Sequence, residues 1–299
     1  MIAGSRAVAV GDASVVLTGG VESMTRAPWI LLKPDRPYPT THQELWSSAL
    51  GWRMVNPRMP AEWTIALGEG AEVLADKYAI TREAQDAFAL ASHQKADAAW
   101  SAGWFEAEIV AVPGVDLERD EGVRADSSLE RLGRLKPAFR SEGTVTAGNS
   151  SPLNDGAAAV LLASESGCSA MSAKPLARIV ARATSGVEPP LYGIGPVTAG
   201  RTALARAGLD WADLDAVELN EAFAAQSLAC LAEWTELDPA IVNPQGGAIA
   251  IGHPLGCSGA RILTTLTHHL RRTGGRYGLA AMCIGVGQGI AIVIENTTA

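Results

Sequence analysis

One succession of elements occurs twice in this chain and constrains its fold more than any other feature. Residues 4–20 read as a helix closing on Gly11, a buried apolar strand at 14–18 and a glycine turn at Gly19-Gly20. Residues 258–287 repeat it: a helix at 258–272 closing on Gly274-Gly275, an apolar strand at 279–283, and a glycine turn. Residues 290–295 then pair back as a further strand. In the second copy a glycine-rich loop holding His253 precedes the helix, whereas the sequence opens inside the helix of the first copy, as if the front of that copy were missing. Strands alternating with helices predict a layered α/β domain. Between the copies, residues 24–140 are rich in tryptophan, proline and charge. They hold one strong amphipathic helix at 81–102, with Thr81 as N-cap, Glu83 in its first turn and Gly103 past its end. The remainder of that segment reads as long surface excursions. Compact patterning returns after Thr144, with a helix at 197–207, a strand at 216–219 and a helix from Glu221.

Charge narrows the partner classes. With 24 basic against 32 acidic side chains the net charge is −8, which offers no basic footprint for nucleic-acid phosphates or anionic lipid. The four cysteines, Cys168, Cys230, Cys257 and Cys283, form no Cys-x-x-Cys unit, so no metal site is expected and they read as reduced thiols of a cytoplasmic protein. Residues 1–10 lack the apolar core and cleavage site of a signal peptide. The uncharged stretch 277–294 has membrane-spanning length, but Gly278, Gly285, Gly287 and Gly289 divide it into two short strand-like runs.

Three constellations can carry chemistry. Asn220-Glu221-Ala222-Phe223 stands where an apolar strand gives way to a helix, a common place for functional groups in α/β sheets, though an asparagine there can equally cap the helix. The run from Gly246 to Gly256 allows close backbone approach to a ligand and holds His253 between Gly252 and Pro254, so that its ring can be fixed in one direction; the competing reading is an idle loop histidine. Cys283-Ile284-Gly285-Val286-Gly287-Gln288-Gly289 suggests a dinucleotide loop, but a strand follows the glycines and no helix N-terminus is available for a pyrophosphate. Cys283 could instead serve as an acid or base beside exposed backbone N–H groups, or be a small core thiol. The other histidines have blander readings: His93 on the 81–102 helix, His42 in an excursion, and His268-His269 near a basic helix end where positive charge suits the dipole.

Together these motifs resemble the thiolase family. Gly19-Gly20-Val21-Glu22-Ser23-Met24, the Asn-Glu-Ala-Phe run, the Gly-His-Pro-Leu-Gly loop and the C-terminal Cys-Ile-Gly-Val-Gly-Gln-Gly turn stand in the family's order, and the likeness covers essentially the whole chain. Gly51-Trp52-Arg53, the stretch 118–124, and Val286 in place of a usual glycine look most like 3-oxoadipyl-CoA thiolases of aromatic-compound degradation. The resemblance implies a layered αβαβα fold of two similar halves with an inserted loop domain. Its division would be 1–24 as the remnant of the N-terminal half, 25–150 as the loop domain with CoA-binding elements, 151–176 as the return to the first half, and 177–299 as the C-terminal half.

The resemblance also implies a chemistry: a cysteine attacks a 3-oxoacyl-CoA, acetyl-CoA leaves, and the acyl group passes to free CoA. On it, His253 matches the base that activates the nucleophile, and Cys283 the thiol that exchanges a proton with the enolate carbon, suited by a pKa near working pH. Asn220 would hold the water of one oxyanion hole, and Gly285 would donate its N–H to the other. Ser151, Ala147, Phe139 and Arg124 match CoA contacts, residues 144–155 resembling the CoA loop. Leu67, Tyr192 and Phe223 match the acyl pocket, with Leu67 and Tyr192 where many relatives carry methionine. CoA is implied as substrate, with no permanently bound cofactor, and the family implies a homodimer or homotetramer. The nucleophilic cysteine of the family would align a couple of turns before Met1, and none of the four cysteines replaces it. Three readings compete: a thiolase, whether cleaving 3-oxoacyl-CoA or forming acetoacetyl-CoA, of which this chain lacks the nucleophile; a catalytically inactive CoA-binding or interaction protein; and a decarboxylating condensing enzyme, which Cys283 argues against.

Overall fold

The computed structural model describes residues 1–52 and 54–299, so of the Gly51-Trp52-Arg53 motif Arg53 lies outside the described residues. In chain order, α1 (Ile2–Val10) leads into β1 (Val15–Ser23), and a small antiparallel pair follows, β2 (Trp29–Leu31) with β3 (Leu45–Ser47). Next come α2 (Leu67–Tyr78), α3 (Arg82–Ser101), α4 (Leu129–Gly133), β4 (Asp155–Ala163) and α5 (Glu165–Ala170). The last part holds β5 (Ala177–Gly186), α6 (Gly195–Ala207), β6 (Ala216–Leu219), α7 (Ala224–Glu233), α8 (Ala248–Ile251), α9 (Leu255–Thr273), β7 (Tyr277–Ile284) and β8 (Gln288–Asn296).

The larger sheet has the order β5-β8-β7-β6, antiparallel except for the parallel pair β6 and β7. Both of its faces are covered, which is why 277–294 reads as a nearly continuous apolar run and folds as the β7–β8 hairpin. Leu279 and Ala281 point into a core with Val197, Leu204, Trp211 and Trp234, whereas Ala280, Ile292 and Ile294 meet Ile262, Leu263, Leu266 and Leu270 of α9 on the other side. Helix α9 therefore lies between this sheet and the two-stranded sheet of β1 and β4, with Met1 and Ile2 of α1 beside it. No helix among the described residues is long and apolar enough to cross a membrane.

The repeat read from the sequence is present in outline: α1 and α9 both close on a left-handed glycine, Gly11 at φ 84° and Gly274 at φ 75°, and both run into strands with antiparallel partners. It differs at the first glycine pair. Gly19 and Gly20 form no turn; they lie inside β1, opposite Ala159 and Ala158. A Cβ on Gly20 would sit 1.8 Å from the carbonyl oxygen of Gly256, so glycine is required where the strand crosses the start of α9. Strand β1 is also not buried on both faces: Leu17 and Val21 are about 70% exposed, at 73% and 72%. The 24–140 segment is likewise more than surface excursion. Helix α2 buries Ala71, Leu74 and Ala75; Ala71 and Ala75 pack with Ala225 of α7, while Gly68 and Gly70 leave room for the rings of Phe139 and Tyr192. Helix α3 starts as expected, the Thr81 hydroxyl accepting from the Ala84 N–H at 3.2 Å.

The two kinds of glycine site differ in a measurable way. Gly20→Ala places a methyl against backbone and is expected to cost about 2 kcal/mol or more. Gly259→Ala, in α9 with only the Met282 methyl nearby at 3.6 Å, is expected to stabilise, by up to about 1 kcal/mol. Urea unfolding of the two variants checks this; equal effects would contradict the crossing geometry.

Candidate active site

Strand β6 delivers Asn220. Its N–H continues the ladder to Ala281 of β7 at 3.0 Å, so the side chain leaves the sheet at a fixed point. The helix that follows begins only at Ala224, and the Ala224 N–H is taken by the Asn149 carbonyl at 2.9 Å, so Asn220 does not cap it. Its amide instead faces His253, with Nδ2 at 3.3 Å from Nε2.

His253 is held from two sides. Its N–H donates to Asn154 Oδ1 at 2.9 Å, and its Nδ1 lies 2.6 Å from the Ser258 hydroxyl. Ser258 spends its own proton on the Pro254 carbonyl at 3.0 Å, so Nδ1 carries the hydrogen and donates to Ser258. That leaves the Nε2 lone pair free and fixes the tautomer; the Asn220 Nδ2 lies nearly as far from Nδ1, at 3.5 Å, as from Nε2, at 3.3 Å, and so is not aligned with a single lone pair. Gly252, at φ 101°, makes the preceding corner, where a side chain would strike Asn154. Burial, and after it the charge of Arg261, pushes the His253 pKa down to about 4, so the imidazole is neutral at physiological pH.

Cys283 comes from β7, opposite Gly289 in β8, and packs against Tyr192 and Ala222. Sequence reasoning expected a thiol pKa near working pH. Burial pushes it up to about 12 instead, its own backbone N–H offsetting only part of that, so Cys283 is a protonated thiol. The Tyr192 hydroxyl donates to the Leu67 carbonyl at 2.8 Å, and Leu67 Cδ2 approaches Gly285. Phe139 lies on Gly68 and meets Phe223 edge-on with centroids 6.0 Å apart. Leu67, Phe139, Tyr192, Phe223, Cys283 and Gly285 thus form one wall, and Asn220 joins it to His253.

The 144–151 loop is pinned to this wall. The buried Glu72 carboxylate accepts from the N–H groups of Thr144 and Val145 at 2.9 Å, and the Ser151 N–H and hydroxyl both donate to the Ala222 carbonyl at 3.1 Å. Ala147 of this loop is exposed, as is Arg124, whose N–H donates to His93 Nδ1 at 3.2 Å. His93 is therefore a buried structural partner, and His269, pushed down to about 4 by burial, accepts from Arg272 at Nδ1 at 3.0 Å instead of adding charge to the helix end. Among the described residues no group of His, Cys, Asp and Glu could hold a metal ion.

Sequence reasoning passed over the residues that position the site. Glu221 is fully buried and accepts from Ser92 Oγ at 2.7 Å, Asn243 Nδ2 at 2.7 Å and the Ile249 N–H at 3.2 Å. Asn243 also exchanges two 2.8 Å bonds with the Leu219 backbone. Glu221 stood within a quoted motif and an acidic residue amid apolar neighbours was its signal; Asn243, Ser92 and Asn154 left none.

Two family patterns match this chain. The pattern described as "Thiolase, N-terminal domain" matches residues 1–166, and "Thiolase, C-terminal domain" matches residues 173–296. The chain belongs to the thiolase family of acyltransferases. It is 49% identical to a beta-ketoadipyl-CoA thiolase of Escherichia coli over 98% of its own length and 75% of the relative's. An acetyl-CoA acetyltransferase of Pseudomonas aeruginosa is 46% identical, over 98% of this chain and 75% of the relative. Human mitochondrial 3-ketoacyl-CoA thiolase, solved in complex with CoA, superposes with a TM-score of 0.93 at 42% identity, covering 99% of this chain and 74% of the other.

Two outcomes test the site geometry. Iodoacetamide at pH 8 should alkylate the partly exposed Cys168 well before Cys283, read by peptide mass spectrometry; equal rates would contradict a buried protonated thiol. Val286 holds φ 67°, a left-handed conformation that a β-branched residue adopts under strain, so Val286→Gly is expected to raise the unfolding free energy, by about 1 kcal/mol.

Proposed function

We propose that the chain forms the acid–base half of a thiolase site acting on a 3-oxoacyl-CoA of the 3-oxoadipyl type, to give acetyl-CoA and a shortened acyl-CoA or the reverse. The observation that carries this reading is the Asn220–His253 pair, with its Nε2 lone pair directed by Ser258, joined through Ala222 to the protonated Cys283. The names of similar proteins support the substrate class.

A neutral His253 is in the form needed to take a proton from an attacking thiol. A protonated Cys283 suits delivery of a proton to the α-carbon of the departing enolate, and its high proton affinity in the empty site implies that the opposite step, deprotonating acetyl-CoA, needs bound substrate to stabilise charge. Asn220 and the Gly285 N–H serve the two oxyanions, one through a water. Ser151, Ala147, Phe139 and Arg124 serve CoA, with Arg124 toward its phosphates. Leu67, Tyr192 and Phe223 bound the acyl group, and the Tyr192 hydroxyl, already committed to Leu67, presents an apolar ring to it. The division at 24, 150 and 176, a homodimer or homotetramer, and a cytoplasmic location belong to the same proposal.

On this reading none of the four cysteines of these 299 residues serves as the nucleophile. Cys168 lies on α5, Cys230 donates to the Gly193 carbonyl at 3.1 Å, and Cys257 sets its sulfur against Gly156 of β4. The purified chain should bind CoA by calorimetry yet show no CoA-dependent cleavage of 3-oxoadipyl-CoA or acetoacetyl-CoA. Appreciable turnover would overturn the assignment of a lacking nucleophile. Placing the cysteine-bearing segment of a relative before Met1 should confer cleavage, which His253→Ala or Cys283→Ala then lowers by about 100-fold or more. A loss of only a few-fold would contradict those roles.

A further inference from the structure

The corner that carries His253, residues 252–256, rests on the ribbon of β1 and β4. The His253 N–H donates to Asn154 Oδ1 at 2.9 Å, and the Asn154 amide lies so close to Gly252 that a Cβ there would stand 2.4 Å from its nitrogen. The Pro254 ring covers Gly156 of β4, where a Cβ would meet Pro254 Cγ at 2.4 Å. The Gly256 N–H donates to Glu22 Oε2 at 3.1 Å, and the Gly256 carbonyl presses on Gly20 of β1.

Asn154 stands just outside the ladder of that ribbon, whose last pair is Ser23 with Asp155. The next side chain fixes it. The Asp155 carboxylate reaches back to the end of β1 and accepts from the Ser23 hydroxyl at 3.1 Å, the Thr25 hydroxyl at 2.6 Å and the Thr25 N–H at 3.0 Å. Asn154 Nδ2 donates to the Asp155 carbonyl at 3.3 Å, which turns the amide oxygen toward His253. Hydrogen bonds to an ionised carboxylate are among the stronger ones. Those from Thr25 hold the Asp155 pKa below its ordinary value, so the group is charged at neutral pH. The remaining contacts leave the place of the His253 ring open. Ser258 sets its rotation, Asn220 aligns with neither ring nitrogen, and Glu221 holds the loop only at Ile249, four residues earlier.

We propose that Asn154 and Asp155 are positioning residues for the reaction and form a strap: Asp155 anchors the start of β4 to the end of β1, and Asn154 passes that fixed point to the main chain of His253. The strap thereby sets how far the ring stands from Asn220. Ser258 decides which ring nitrogen is bare, and the strap decides where that nitrogen is. This division of roles rests on the reading of His253 as a base.

The test is the through-space NMR signal between the Asn220 side-chain amide and the His253 ring hydrogens in the 299-residue chain. It needs neither turnover nor CoA, so its failure is separate from failure of the cleavage assays. A displacement of about 1 Å is enough to spoil a reacting geometry, and it weakens this signal severalfold. The unaltered chain should give the signal, Asn154→Ala should lose it, and Asn154→Asp, which keeps an oxygen for the His253 N–H, should retain it. Asp155→Ala should weaken it as well. Adding Asp155→Ala to Asn154→Ala should change nothing further, because the two residues act in series. In all of these chains the nitrogen-15 shifts of the ring should report one neutral tautomer. Full signal in a folded Asn154→Ala chain, or in an Asp155→Ala chain, would overturn the strap, and a changed tautomer in Asn154→Ala would overturn the division of roles. Thr25→Ala, at an exposed position, removes one anchoring bond where a larger change costs the fold. It should weaken the signal in part, and an unchanged signal there would overturn the anchor.

Discussion

The site depends on one buried carboxylate. Glu221 follows Asn220 in sequence, yet its bonds run to Ser92 of α3, to Asn243 and to the N–H of Ile249 in α8. It therefore ties the segment carrying Asn220 to the loop carrying His253 and ties both to helix α3. A buried carboxyl group is costly unless several donors satisfy it, and here three do; removing one leaves it with two and weakens the tie to that element. The Asn220–His253 distance follows from this clamp, because neither residue is held to the other by anything stronger than a 3.3 Å contact.

Around that clamp the site divides by function of environment. His253 and Cys283 are both buried, and burial disfavours the charged form of each, so the imidazole loses its proton and the thiol keeps its own. The same physical cause thus prepares one group to accept and the other to donate. Tyr192 and Phe223 cover Cys283, while Glu72 fixes the 144–151 loop through the N–H groups of Thr144 and Val145.

Much of this was legible in the sequence because it rests on local patterns. The helix started by Thr81, the helix closed by Gly274 and the β7–β8 hairpin follow from capping, left-handed glycine and unbroken apolar runs. The motifs that drew attention do converge: Asn220 meets His253, and Cys283 meets Tyr192. What was not legible depends on distant partners. Gly19 and Gly20 look like a turn until the path of Gly256 is known, and Asn220 looks like a cap until Asn149 is seen to occupy that place. The thiol of Cys283 could not be assigned a proton from composition, since its pKa is set by how deeply β7 is covered.

The central claim is that the wall, the 144–151 loop and the Asn220–His253 pair form one acyl-CoA site. A crystal structure of the chain with acetyl-CoA tests it most directly. The account expects the thioester between Cys283 and the Asn220–His253 pair, the pantetheine arm along Ser151 and Phe139, and the nucleotide end toward Arg124. Acetyl-CoA bound elsewhere, or with its thioester away from both Cys283 and His253, would contradict it.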